Sequence, residues 1–241
     1  MSIALPRNAM VLAAGLGTRL RPITDTLPKP LITVGGRTLL DRCLDRLAAA
    51  GIRRAIVNIH WLGDQIRDHL KQRSDIEIVI SDESDLLLET GGGIAKALAL
   101  LGDAPFVSVN ADLIWRDARG NSLHRLADAF DPARMDGILL LQPRERATGY
   151  GGAGDFNLDP EGRLVRRGEA PAADYVYTGV QILHPRLFES CPGGAFSLNL
   201  LYDRAIAAGR LHGLVHDGDW MDVGTHDGLA AAETLLHGKR G

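Results

Sequence analysis

The chain has 241 residues, 45% hydrophobic and 24% charged, which is ordinary globular composition with material for a substantial core. Lys and Arg total 27 against 30 Asp and Glu, a formal net charge of −3, so no bulk basic field draws the chain to nucleic acid and any anion must be bound locally. No run reaches the roughly 18 apolar residues of a membrane helix, the first residues do not read as a leader, and Cys43 and Cys191 are too few for a disulfide framework. A soluble protein of the reducing cytoplasm is expected.

Residues 9–14 form an apolar run too short for a typical helix and ending at Gly15, which predicts a buried strand entering a tight loop. Pro22, Pro28 and Pro30 keep the basic loop that follows from continuing as a helix. A short apolar piece, 31–34, and the turn at Gly35 and Gly36 precede a helix from Thr38, with Leu39, Leu40, Cys43, Leu44 and Leu47 as its apolar residues and Gly51 as its stop. Strand 55–59, helix 62–70 and strand 76–80 follow, with Leu62, Ile66 and Leu70 on one helical face. Gly91, Gly92 and Gly93 introduce a helix over 94–101, and 105–110 is a fourth strand that ends in Ala111 and Asp112.

The second half is less regular. It reads as helix 123–130, strand 137–142, a glycine turn at 150–154 into a two-strand excursion at 155–158 and 164–167, strand 175–183, helix 198–208, short strands 211–215 and 220–223, and a closing helix 229–236. Strands alternating with helices imply helices on both faces of a parallel sheet. The expected fold is α/β, three-layered and Rossmann-like, with a mostly parallel central sheet and a small β excursion, in one domain over 1–241. Ligands of open α/β sheets lie beyond the carboxyl ends of the strands, so Gly15, Asp82 with Glu83, and Asn110 with Asp112 should share one rim.

Gly15 and Gly17 remove the Cβ atoms that would keep a ligand off the backbone, and Arg19, Arg21 and Lys29 follow, a loop suited to a polyphosphate. Two glycines after a strand are common in α/β chains. Here Leu20 stands where a dinucleotide-binding Gly-x-Gly-x-x-Gly needs its third glycine, and no Gly-Lys-Ser/Thr closes a P-loop. Asp112 at the mouth of a buried strand suits a hard cation, or a simple cap. Asp222 lies inside Trp220-Met-Asp-Val-Gly-Thr225, where a carboxylate is costly unless paired, hydrogen-bonded or metal-bound. One Mg²⁺ would serve both. Glu89-Thr-Gly-Gly-Gly93 reads as a flexible turn or as a helix start with amides open to a ligand. The eight histidines have no metal-ligand spacing, and no Ser/His/Asp or Cys/His set offers a nucleophile.

The ordered string Gly15-Leu-Gly-Thr-Arg-Leu-Arg-Pro22 with Pro28-Lys-Pro30 resembles the signature of the sugar-1-phosphate nucleotidyltransferases, and the resemblance covers essentially the whole chain. It implies the nucleotidyltransferase fold, with a nucleotide-binding half over about 1–113 and a sugar-phosphate-binding half over about 114–241. The implied reaction is attack of a sugar-1-phosphate oxygen on the α-phosphorus of a nucleoside triphosphate, with pyrophosphate leaving. By the same resemblance Ala13, Ala14, Gly15, Gly17, Thr18, Arg19 and Lys29 bind the nucleotide, Arg19 and Lys29 neutralising its phosphates. Glu83, with Asp82 and Asp85 as rivals, and Thr90, Gly91 and Gly92 lie against base and ribose. Asp112 and Asp222 hold Mg²⁺, and with Arg19 and Lys29 they form the catalytic set. Asn110, Asp155, Glu169 and Thr178 meet the sugar phosphate, Asp155 and Thr178 reading equally as plain polar positions.

One departure matters: many relatives have Glu-Lys-Pro where this chain has Glu169-Ala-Pro171, so another cation, Arg19 or the metal, must meet the sugar phosphate. A narrower resemblance lies in Leu88-Glu-Thr-Gly-Gly-Gly-Ile94, in Ala170-Pro171 with Tyr177-Thr-Gly179, and in a compact ending, from which no appended acyltransferase or regulatory domain is expected. It points to the members of bacterial cell-wall recycling that condense UTP with N-acetylmuramic acid 1-phosphate. The lactyl carboxylate of that sugar calls for a cation, for which Arg144, Arg146 and Arg167 are nominated. Rival readings are a mannose-1-phosphate guanylyltransferase or another hexose-1-phosphate transferase, and a catalytically silent nucleotide-sugar-binding subunit. A monomer or small homo-oligomer is expected.

Overall fold

The computed structural model describes residues 2–237. Strand β1 (Asn8–Leu12) leads through the basic loop to β2 (Thr33–Val34) and β3 (Arg37–Thr38), then to α1 (Leu39–Ala50), β4 (Arg54–Ile59), α2 (Gly63–Leu70) and β5 (Glu77–Asp82). Next come α3 (Glu89–Leu101), β6 (Phe106–Asn110), β7 (Leu113–Arg116) and α4 (Ser122–Ala129). The second half adds β8 (Gly137–Pro143), β9 (Ala147–Thr148), β10 (Phe156–Leu158), β11 (Leu164–Arg166) and β12 (Tyr175–Leu183). It ends with α5 (Asn199–Ala207), β13 (Leu211–Val215), β14 (Asp219–Asp222) and α6 (His226–His237). Among the described residues no helix is long and apolar enough to cross a membrane.

Nine strands share one sheet in the order β11-β10-β12-β6-β1-β4-β5, with β8 beside β12 and β13 beside β8. The block β6-β1-β4-β5 is parallel, as its crossover helices require. Strand β12 joins β6 antiparallel, and β8 and β10 each pair antiparallel with β12, so the sheet as a whole is mixed. The two-strand excursion is its outer edge, β10 with β11.

Side-chain alternation along β1 decides the layers. Ala9 and Val11 pack with Leu44 and Leu47 of α1, Ile66 of α2 and Leu126 of α4, whereas Met10 packs with Ile94 and Ala97 of α3 and Leu201 of α5. A third cluster, with Leu20, Leu39, Ile114, Met221, Val223 and Ala232, ties the basic loop to α6 and to a small separate sheet, β7-β14-β9. Strand β7 was not among the expected elements. It follows β6 after only Ala111 and Asp112 and pairs antiparallel with β14.

Helix α3 begins at Glu89, so the three glycines lie inside its first turns rather than ahead of it. The amides of Gly91 and Gly92 both donate to the Phe196 carbonyl, at 2.9 and 3.2 Å, and are therefore closed to a ligand, contrary to expectation. A Cβ on Gly91 would fall 2.3 Å from Phe196 Cε2, one on Gly92 2.3 Å from the Gly194 carbonyl oxygen, and one on Gly93 2.7 Å from Glu83 Oε1. The glycines let the 194–198 segment and Glu83 press against the helix.

In a helix interior Gly→Ala ordinarily stabilises by about 0.5–1 kcal/mol. Because the contact at Gly92 is with rigid backbone, Gly92→Ala is expected to do the opposite and cost roughly 1–3 kcal/mol. Urea unfolding of the two proteins gives the sign.

Candidate active site

A cleft of about 360 Å³ opens beyond the carboxyl ends of β1, β4 and β6, walled by Ala13, Ala14 and Gly15 after β1, by Lys29, Asn58, Leu87, Glu89, Thr90 and Ser197, and by Asn110 and Asp112. A second pocket of about 250 Å³ is walled by Arg19, Tyr150, Asp155, Tyr177, Thr178, Trp220 and Asp222, and shares Asn110 and Asp112 with the first. The two meet where the chain turns from β6 into β7.

That turn explains the carboxylates. Asp112 is the last residue before β7, and β7 pairs antiparallel with β14 so that Leu113 lies opposite Asp222. The second aspartate is thereby carried beside the first. Lys29 is only 8% exposed, and its Nζ donates to Asp112 Oδ2. Asp222 Oδ1 accepts from the Gly224 amide at 2.8 Å. Among the described residues, Asp112 Oδ1 and Asp222 Oδ2 have no protein partner. The Arg19 guanidinium lies over Gly224, where a Cβ would fall 2.6 Å from Nη2 and 2.8 Å from Asp222 Oδ1. Arg19 thus faces the smaller pocket, whereas Lys29 faces the larger.

Ala13, Ala14, Gly15, Lys29, Thr90, Asn110 and Asp112 line the larger cleft, and Arg19, Asp155, Thr178 and Asp222 the smaller pocket. Gly17, Thr18, Glu83, Gly91, Gly92 and Glu169 line neither. Gly17 has a φ of +63°, and a Cβ there would fall 2.8 Å from Thr24 Cγ2, so it shapes the loop; Thr18 opens an exposed turn. Glu83 is 1% exposed and lies behind the cleft, where Oε1 accepts from Asn58 Nδ2 at 2.7 Å and Oε2 from the Leu88 amide at 3.1 Å. Buried and held by protein donors on both oxygens, it is kept out of the cleft wall. Its rival Asp82 pairs with Arg67 at 2.7 Å, and Asp85 lines neither pocket.

Thr178 is in the pocket wall, but its hydroxyl donates to the Leu140 carbonyl at 2.8 Å. Glu169 is exposed on the 167–171 loop. The nominated cations are engaged elsewhere: Arg144 donates to the Ala173 carbonyl, Arg146 to those of Asp217 and Gly218, and Arg167 to that of Ala170.

Asn58 went unnoticed. Its Oδ1 accepts from the Ala13 amide at 2.7 Å while Glu83 holds its Nδ2, so it fixes the start of the basic loop from below. An amide inside the buried run Ala55-Ile-Val-Asn-Ile59 was a legible signal, because such a group is costly without partners. Tyr150 and Trp220 were also missed; their rings meet edge to face at 6.3 Å, and Trp220 Nε1 donates to the Thr178 carbonyl at 2.9 Å. Burial pushes the Cys43 thiol up to about 12, which removes it as a nucleophile.

The profile of the nucleotidyl transferase family matches residues 8–238. N-acetylmuramate alpha-1-phosphate uridylyltransferase of Caulobacter vibrioides is 43% identical to this chain over 235 residues, covering 96% of it and 97% of the relative. The protein of the same name from Neisseria meningitidis serogroup B is 37% identical, covering 95% and 97%. Among solved structures, UDP-glucose pyrophosphorylase complexed with UDP-glucose superposes with a TM-score of 0.80 at 19% identity, covering 97% of this chain and 99% of the other, which shows a shared fold.

Burial pushes the Asp155 carboxyl above its ordinary range, against the opposing hydrogen bond from the Tyr177 amide and the charges of Arg166 and Arg167. A carboxyl whose pKa is raised by folding costs stability above that range and nothing below it, where both states are protonated. Asp155→Asn, which keeps an oxygen for the Tyr177 amide, is expected to raise the melting temperature at pH 7. The difference should vanish as the pH falls below about 4; melting curves from pH 3 to 8 check both limbs.

Proposed function

This chain belongs to the nucleotidyl transferase family, and we propose that it transfers the uridylyl group of UTP to N-acetylmuramic acid 1-phosphate, releasing pyrophosphate in cell-wall recycling. The meeting of two clefts at Asp112 carries the reading. The larger takes the nucleoside triphosphate and the smaller the sugar 1-phosphate, so that attacking oxygen and α-phosphorus come together at their junction. The substrate pair follows the relatives of that name, which match over nearly their full length.

The transfer needs in-line alignment and neutralised charge, and no covalent enzyme intermediate. Lys29 and Asp112 satisfy each other within the protein. An arriving triphosphate gives Lys29 a stronger anion and frees the Asp112 oxygen it held. Asp112 and Asp222 would then hold Mg²⁺: both are hard carboxylates with an uncommitted oxygen. No cluster of three or more His, Cys, Asp or Glu among the described residues would complete a shell without substrate phosphates and water, the manner of Mg²⁺. Bound there, the cation would supply positive charge to both substrates' phosphates. Arg19 is the cation lining the smaller pocket, so it takes the sugar phosphate in place of the lysine absent at Ala170.

Asp222→Asn is expected to abolish turnover at millimolar Mg²⁺ with circular dichroism unchanged, because it removes an anionic ligand while keeping the shape; wild-type turnover would exclude the metal assignment. Arg19→Ala should raise KM for the sugar phosphate more than for the nucleotide. For the substrate pair, kcat/KM for UTP with N-acetylmuramic acid 1-phosphate is measured beside GTP with mannose 1-phosphate. A tenfold win by the latter, about 1.4 kcal/mol in transition-state binding, overturns the pair and leaves the transferase.

A further inference from the structure

Two carboxylates line the larger cleft, Asp112 and Glu89. Asp112 is paired with Lys29, whereas Glu89 has no hydrogen-bond or ion-pair partner among the described residues. Glu89 also adopts a φ of +58°, one of three non-glycine residues with positive φ among those described. A glycine would take that conformation without strain, and residues held in it against their preference cluster at ligand sites. The three positions after the adjacent Thr90 are glycine, so a fourth here would suit the backbone; the chain instead keeps a carboxylate at the cleft wall.

A free carboxylate in a cleft for a polyanion has to stand away from the phosphates. Lys29 and Asp112 enter beside β1 and β6, while Leu87, Glu89 and Thr90 enter from the segment after β5, on the far side of β4 in the strand order. With the phosphates at Lys29, the nucleoside falls to Glu89. A carboxylate only accepts hydrogen bonds. Uracil offers it one N–H, flanked by two carbonyl oxygens that repel it, whereas a ribose offers two adjacent hydroxyl donors. Other acceptors on that wall are engaged: Asn58 Oδ1 accepts from the Ala13 amide, and Thr90 Oγ1 from the Leu198 amide at 2.9 Å.

We propose that Glu89 is a specificity-determining residue whose carboxylate accepts the 2′- and 3′-hydroxyls of the nucleotide's ribose, selecting ribonucleoside over 2′-deoxyribonucleoside triphosphates. The proposal rests on the reading of the larger cleft as the nucleotide site.

The test compares wild type, Glu89→Gln and Glu89→Gly with UTP and dUTP, through kcat/KM at saturating sugar phosphate and through Kd by calorimetry. Loss of a charge-assisted hydrogen bond predicts a wild-type preference for UTP of about tenfold or more, falling below about threefold in both variants. Glu89→Gly should also melt about 2–4 °C higher as the strain is released. An unchanged UTP/dUTP ratio in Glu89→Gln overturns the proposal. So does an equal loss for both nucleotides, which would put the contact on the base. A glycine variant melting at or below wild type removes the strain argument and counts against it. If wild type binds UTP but turns over no sugar phosphate, the transferase reading fails while the Kd ratio still decides the role of Glu89.

Discussion

A lysine with 8% of its surface exposed must have an anion beside it, and the anion available to Lys29 is Asp112. That requirement fixes the site. Burying the ammonium unpaired would cost several kcal/mol, so the basic loop has to close until Lys29 meets the end of β6. The loop achieves this through short 3-10 turns punctuated by proline and through Gly17, whose missing Cβ lets Thr24 and the Lys29 stem approach. Asn58 anchors the other end of the loop by accepting the Ala13 amide, and Glu83 in turn holds Asn58. The cleft is therefore shaped before any ligand arrives, with Lys29 and Asp112 already paired.

Much of this was legible in the sequence, because hydrophobic period and strand-end position are local signals. The parallel block, the crossover helices and the shared rim of Gly15, Asn110 and Asp112 follow from residues close together in the chain. What was not legible depends on neighbours far apart in sequence. Strand β7 is four residues long, two residues after another strand, and becomes a strand because β14 pairs with it. Glu83 lies beside the cleft in the chain but is claimed by Asn58 and Leu88. The glycines after Thr90 looked like an approach path for a ligand, yet the Phe196 and Gly194 backbone fills it.

The same distinction separates the two pockets. The larger is built mostly from strand-end loops of the first half, where position and composition speak together. The smaller gathers Arg19, Tyr150, Asp155, Trp220 and Asp222 from both halves. Asp222 is recognisable in the sequence as a carboxylate costly to bury without purpose, and Arg19 is named there, with the metal, as a cation for the sugar phosphate; that the other nominated arginines are engaged elsewhere shows only in the fold. Arg144, Arg146 and Arg167 are near in sequence and held by backbone carbonyls, while Arg19 arrives from the opening loop.

The first turns of α3 have a consequence for motion. Three consecutive glycines give that end of the helix little tendency to form by itself, and its amides at Gly91 and Gly92 are held by a carbonyl more than a hundred residues away in the chain. Helix start and 194–198 strap therefore form one cooperative unit, which opens or stays shut as a whole. Its partial unfolding needs no disruption of the central sheet, so amide hydrogen exchange at these glycines should run faster than in β1 or β4 and report how often this wall of the larger cleft loosens.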